Sequence, residues 1–230
     1  MNDIVIYGSP LSPFVRKVEA VLRHTGTAYD FEAVNVMDMP DWFKEISPAR
    51  RIPVLRDRSI SAEGVLGTIA DSSAICLYLE RKLDAGLYGQ GAFDAGRVTW
   101  FEEYADTNIA MPLGMGLFRP IIFPRFAGKE SDLEKARKTW NETLPPLFDY
   151  LEASLGGGEY LVGGRFSLAD IAVGSQLTQL ALVAGLPDAV RWPTLVKAIQ
   201  AMQAHPAFAA NLGVCRKMLG GILPEPVDLS

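Results

Sequence analysis

Tyr7-Gly8-Ser9-Pro10-Leu11-Ser12-Pro13-Phe14-Val15-Arg16-Lys17-Val18 is the stretch that decides the fold. Before it, Ile4-Val5-Ile6-Tyr7 is apolar and β-branched, as a buried strand is. Gly8 to Pro13 is a turn cluster. After it, Phe14, Val15, Val18, Val21 and Leu22 recur at helical spacing, and Gly26 supplies a stop. Ser12 followed by Pro13 fits an N-cap and the first helical position. The segment therefore reads as a buried strand that turns sharply into a helix with a hydroxyl at its head.

Working outward, Tyr29 to Val36 reads as a second strand and Asp41 to Ile46 as a short helix. A third strand covers Pro53 to Leu55, and a short fourth covers Thr68 to Ala70. Between them Asp57 to Gly67 is long for a hairpin loop. A helix over Ala74 to Leu83 follows the Asp71-Ser72 start signal. The order βαβ, αββα is that of a small mixed α/β domain, assigned to residues 1–84. The glycine-bearing stretch 85–91 reads as a linker, and residues 92–230 as an all-helical domain.

In that second part a long helix is marked by Phe93, Trp100, Phe101, Tyr104 and Ile109, and disturbed by Pro112, Gly114 and Gly116. Phe118 to Gly128, with Pro120 and Pro124, is expected to be irregular. Ser131 and Glu134 suggest a capping box. Pro145-Pro146 interrupts the next apolar pattern, so a kink is expected there. Ala169 to Leu186 is almost free of charge after Asp170, as a helix buried on all sides would be. Pro193 to Gln203 and Pro206 to Leu212 complete the domain.

Composition narrows the function. The net charge of −5 and the absence of a basic run speak against nucleic-acid binding. No apolar run is long enough to cross a membrane, and no charged leader precedes the first strand. Cys76 and Cys215 have no metal-like spacing, so no metal site is expected and a cytoplasmic location is the simplest reading.

Three groups of residues suit a thiol peptide carrying carboxylates. Ser12 either only caps its helix or donates a hydrogen bond to a thiolate; Ser9, earlier in the turn, is a weaker candidate. No base stands beside either serine, so a hydrolase triad is not supported. Pro53 is either an edge-strand proline or a cis-proline that exposes the Ile52 backbone to an extended peptide. Asp71 and Ser72 either start a helix or hold an amino-acid head group, Ser72 on the carboxylate and Asp71 on the ammonium. His24 and His205 sit at helix ends and are placed as neither ligand nor base.

Taken in order, Ser12-Pro13-Phe14-Val15-Arg16-Lys17-Val18, Ile52-Pro53-Val54-Leu55, Asp71-Ser72-Ser73-Ala74-Ile75 and Phe166-Ser167-Leu168-Ala169-Asp170-Ile171-Ala172 make the chain resemble a cytosolic glutathione S-transferase over essentially its whole length. The resemblance is to the serine-type classes, theta, tau, phi or a related bacterial class. It implies a thioredoxin-like N-terminal domain, an all-α C-terminal domain and a homodimer. It implies Ser12 as the catalytic serine, and Arg51, Ile52, Pro53, Asp71 and Ser72 as glutathione contacts. A pocket for a small apolar electrophile is expected between the domains, from Leu11, Tyr104, Asn108, Met111, Met115 and Phe118. Asp71 departs from the more usual glutamate, and the loop 57–67 is a larger departure. Detoxifying conjugation is the implied activity. A glutathione-dependent isomerase, peroxidase or lyase, or a non-catalytic glutathione-binding or protein-interaction module, are the alternatives on the same scaffold.

Overall fold

The computed structural model describes residues 2–229. The chain forms two compact units, Met1–Gly86 with Pro206–Asn211, and Leu87–His205 with Leu212–Ser230.

The first unit is built on a four-stranded sheet in the order β2-β1-β3-β4. Strand β1 (Ile4–Gly8) leads through helix α1 (Pro13–His24) to β2 (Tyr29–Ala33), which lies parallel to it. Helix α2 (Asp41–Ile46) precedes β3 (Val54–Asp57), and β4 (Thr68–Ile69) leads into helix α3 (Ser72–Leu83). Strand β3 runs antiparallel to both β1 and β4. Alternation along β1 sends Val5 and Tyr7 to one face, where they pack with Phe43 and Ile46 of α2. Ile4 and Ile6 point to the other face by the same rule. Helix α1 packs against α3, and Val15, Val18, Leu22, Ile75 and Leu79 are fully buried. The second strand stops three residues short of the expected Val36, because the chain turns away after Val34 bonds to the Gly8 carbonyl.

The loop 58–67 between β3 and β4 is held from within. The buried Arg56 guanidinium donates to the carbonyls of Ser61, Gly64 and Leu66. The neighbouring Asp57 carboxylate is bound by Ser59, by Tyr78 and by Lys82. Burial opposes ionisation of Asp57, yet these donors outweigh it and hold the carboxyl well below the usual range.

The second unit is helical. Helix α4 (Ala92–Tyr104) continues through π-helical turns at Ala105–Ile109 and Pro112–Phe118 into α5 (Arg119–Phe126). Phe118 to Gly128 was expected to be irregular; it is helical as far as Phe126. Burial of Leu117, Ile121 and Ile122 overrides the poor propensity of the prolines. Pro120 stands in the first turn of α5, where proline is tolerated, and Pro124 lies inside the helix. Helix α6 (Leu133–Lys138) is capped by Asp132, which accepts from the Lys135 N–H. Ser131 therefore does not form the expected box with Glu134. Its hydroxyl is engaged by Arg125 and the Ile121 carbonyl. The break expected at Pro145-Pro146 falls just ahead, as a π turn at Thr139–Thr143, and both prolines lie in the first turn of α7 (Leu144–Leu155).

Helix α8 (Leu168–Ala184) is buried along nearly its whole length and packs against α4 and α9 (Pro193–Ala204). Its start is fixed by Asp170, which accepts from the Ser167 N–H and hydroxyl and from the Leu161 N–H. Burial pushes the Asp170 carboxyl up to about 6 against these bonds. Helix α10 (Pro206–Leu219) runs seven residues past the expected Leu212. Its buried face continues through Leu212, Cys215 and Leu219, a spacing of three and four residues.

Candidate active site

Strand directions bring three chain segments to one end of the first unit's sheet. Val54, the first residue of β3, pairs with Tyr7 near the end of β1. Ile69, the last residue of β4, pairs with Leu55. The turn after β1, the residues before β3 and the start of α3 therefore share one edge. Ser12, Arg51, Ile52, Pro53, Asp71 and Ser72 all belong to these segments.

The turn is closed by the Ser12 N–H, which donates to the Ser9 carbonyl at 3.0 Å. Ser12 is extended (φ −77°, ψ 126°), as an N-cap must be. Its Oγ accepts from the Val15 N–H at 3.4 Å, and its carbonyl accepts from the Arg16 N–H at 3.0 Å. A hydroxyl that accepts a backbone N–H still has its own proton to give. No acidic side chain lies in the first turn of α1, so the positive helix end is not neutralised there.

The Ile52–Pro53 peptide bond is cis, one of the two alternatives the sequence left open. The preceding loop is pinned by the buried Ser47, whose Oγ donates to the Arg51 carbonyl (2.8 Å) and accepts from the Arg51 N–H (3.1 Å). The Arg51 side chain is exposed. Among the described residues the Ile52 N–H and carbonyl have no protein partner, which leaves both for an extended ligand.

Asp71 caps α3, one carboxylate oxygen accepting from the N–H groups of Ser73 and Ala74 at 3.0 Å each. Two of the first helical donors are thus occupied. The Ser72 N–H and hydroxyl and the second Asp71 oxygen are what this helix start can offer a charged head group. Behind it the Lys17 ammonium, 1% exposed, donates to the Ser73 hydroxyl at 3.2 Å. Nothing local in the sequence signals this tie, because its two members lie on helices 56 residues apart.

The expected electrophile-pocket residues divide between the units. Leu11 is half-buried in the first. Tyr104, Asn108, Met111, Met115 and Phe118 lie in the second, spaced by four and three along the helix that carries the π turns. Tyr104 is buried against Tyr150, ring centroids 4.8 Å apart. Burial first, and Tyr150 second, raise the Tyr104 hydroxyl above its ordinary pKa. Met111 and Met115 are exposed. Among the described residues no cluster of His, Cys, Asp or Glu is arranged to hold a metal ion.

Residues 6–85 match the family model described as glutathione S-transferase, N-terminal domain, and residues 118–212 the corresponding C-terminal domain. A glutathione S-transferase F10 of Arabidopsis thaliana is 32% identical over 168 residues, covering 69% of this chain and 74% of its own. The chain belongs to the glutathione S-transferase family. An elongation factor 1-gamma of Schizosaccharomyces pombe is 29% identical over 172 residues, 74% of this chain but 39% of its own. Among solved structures, a glutathione S-transferase from Rhodospirillum rubrum superimposes with a TM-score of 0.79 at 22% identity, covering 90% of this chain and 91% of its own. A glutathione transferase homologue from Drosophila mojavensis, solved with bound glutathione, gives 0.74 at 22% identity, covering 99% and 100%. At these identities the structures establish the fold: a thioredoxin-like α/β unit followed by an all-α one.

Proposed function

We propose that this family member is a glutathione transferase in which Ser12 donates a hydrogen bond to the thiolate of bound glutathione. The observation that carries the reading is the Ser12 hydroxyl at the unneutralised N-terminus of α1, its oxygen on the Val15 N–H and its proton uncommitted. Donor and helix end favour the anion and lower the thiol pKa from about 8.5. The thiolate sulfur then bonds to an electrophilic carbon. The bond from that carbon to its leaving group breaks, and the leaving group departs with the electron pair.

In this reading Ile52 pairs its backbone with the cysteinyl part of glutathione, beside Pro53. Arg51 lies along the peptide, and Asp71 and Ser72 meet the γ-glutamyl ammonium and carboxylate. Residues 1–84 then bind glutathione, with 85–91 as linker. The helical part 92–230 supplies the lining for the electrophile from Tyr104, Asn108, Met111, Met115 and Phe118. We place the protein in the cytoplasm as a homodimer. Both cysteines are buried thiols, which suits a reducing compartment. No helix among the described residues is long and apolar enough to cross a membrane.

The test is the ultraviolet thiolate absorbance of bound glutathione against pH. A thiol pKa one unit or more below the free value, returning by about 1–2 units in Ser12→Ala as one charge-assisted bond is lost, supports the reading. Binding with an unshifted thiol favours the non-catalytic glutathione-binding or protein-interaction module. Product analysis with an electrophile panel separates conjugation from isomerisation, peroxide reduction and ether cleavage.

A further inference from the structure

Far along the chain from Ser12, the segment Pro206–Asn211 belongs to the first unit. Asn211, 2% exposed, reaches the turn that presents Ser12. Its Oδ1 accepts from Arg16 Nε at 2.7 Å. Its Nδ2 donates to the Pro10 carbonyl at 3.1 Å and to Glu19 Oε2 at 2.7 Å. Arginine only donates, and a carboxylate and a carbonyl only accept, so the amide fits in one orientation alone. The other Glu19 oxygen is taken by Arg23 (3.0 Å) and by the Tyr29 hydroxyl (2.6 Å) from β2. The amide is therefore clamped from the helix and, through Glu19, from the sheet.

What this clamp holds is specific. Pro10 is the second residue of the turn closed by the Ser12 N–H and the Ser9 carbonyl. Fixing the Pro10 carbonyl fixes the peptide plane between Pro10 and Leu11, and with it the approach to Ser12. Arg16, on the other side, donates its backbone N–H to the Ser12 carbonyl. One amide thus grips the chain at Pro10 and at Arg16, on both sides of Ser12. The bond from Val15 to Ser12 Oγ, at 3.4 Å, is too long to set the hydroxyl rigidly by itself. Preorganising a hydroxyl for a thiolate needs support beyond the residue that carries it.

We infer that Asn211 is a positioning residue for Ser12: it touches no reacting atom but sets the turn from which the hydroxyl is delivered. The inference rests on the thiolate reading for its chemistry, but not for its geometry. The experiment is a double-mutant cycle of Asn211→Ser and Ser12→Ala, with Asn211→Leu as a second neutral variant should the first not fold. Asn211→Ser should raise the thiol pKa of bound glutathione, lowering the thiolate fraction near pH 7 about three-fold or more, half a unit of pKa. In the Ser12→Ala background it should add nothing. An equal rise in both backgrounds, or a wild-type thiol pKa with only a lower melting temperature, overturns the inference. If Ser12→Ala itself leaves the thiol unmoved, it is the thiolate reading that fails. Amide exchange of Ser12 and Val15 then decides on Asn211: faster exchange there with β1 unchanged upholds the positioning role, and unchanged exchange overturns it.

Discussion

Gly8 ends β1, and a single methyl group added to it should disturb the candidate active site without touching it. A Cβ on Gly8 would lie 2.5 Å from Val15 Cγ2, with Cγ1 at 3.4 Å and Cβ at 3.6 Å. Carbon atoms pack at about 3.5–4.0 Å, so the overlap is about 1 Å. Neither side gives way easily. Val15 is fully buried and stiff at χ1, while Gly8 is held in the sheet opposite Ala33 and accepts from Val34 at 2.8 Å. Overpacking of this kind costs about 1–3 kcal/mol. Replacing glycine by alanine within a strand returns about 0.5–1 kcal/mol of chain entropy. Gly8→Ala should therefore lose about 1–2 kcal/mol net. Because the Val15 N–H is the donor to Ser12 Oγ, the same push should raise the thiol pKa of bound glutathione. Equilibrium denaturation of Gly8→Ala, Val15→Ala and the double variant measures the coupling. In the Val15→Ala background the clash is gone and Gly8→Ala should cost nothing. A stable Gly8→Ala protein, or the same loss in both backgrounds, would refute the argument.

Other expectations follow from buried charge and exposed surface. Asp170 should titrate with a midpoint near 6, followed by carboxyl carbon NMR, and a midpoint at or below the ordinary 3.8 would contradict the dominance of burial. With the folded pKa above the unfolded one, its contribution to stability is full below about 3.8 and is lost as pH rises through about 6, worth about 3 kcal/mol across the window. On the braced loop 58–67, Ile60, Val65 and Leu66 are 62%, 62% and 76% exposed. Leu66→Glu should weaken the proposed homodimer, lowering the mass seen by light scattering with the circular dichroism unchanged; an unaltered mass would remove this loop from the subunit contact.

Much of the candidate site was legible because its signals are local. The N-cap Ser12 with Pro13, the Asp71-Ser72 helix start and the Ser167–Asp170 box are each set by hydrogen bonds spanning two or three residues. Helix α2 keeps the bounds the sequence suggests, Asp41–Ile46, although no side chain caps its start. The proline-rich stretch after Phe118 misled because propensity is local, whereas the burial of Ile121 and Ile122 is not. Asp71 was read as a ligand for an ammonium, but how many of the helix donors it occupies was visible only in the folded cap.

By itself, then, the sequence determined the order of elements and the family, and it named the side chains proposed here to meet a thiol peptide. Folding alone decided which buried charges stand behind them. Arg16 and Lys17 look like the polar face of α1, yet they are 0% and 1% exposed, with partners at Asn211 and Ser73. Periodicity reports which face of a helix is apolar, and it says nothing of a polar group whose partner arrives 195 residues later to satisfy it in the interior.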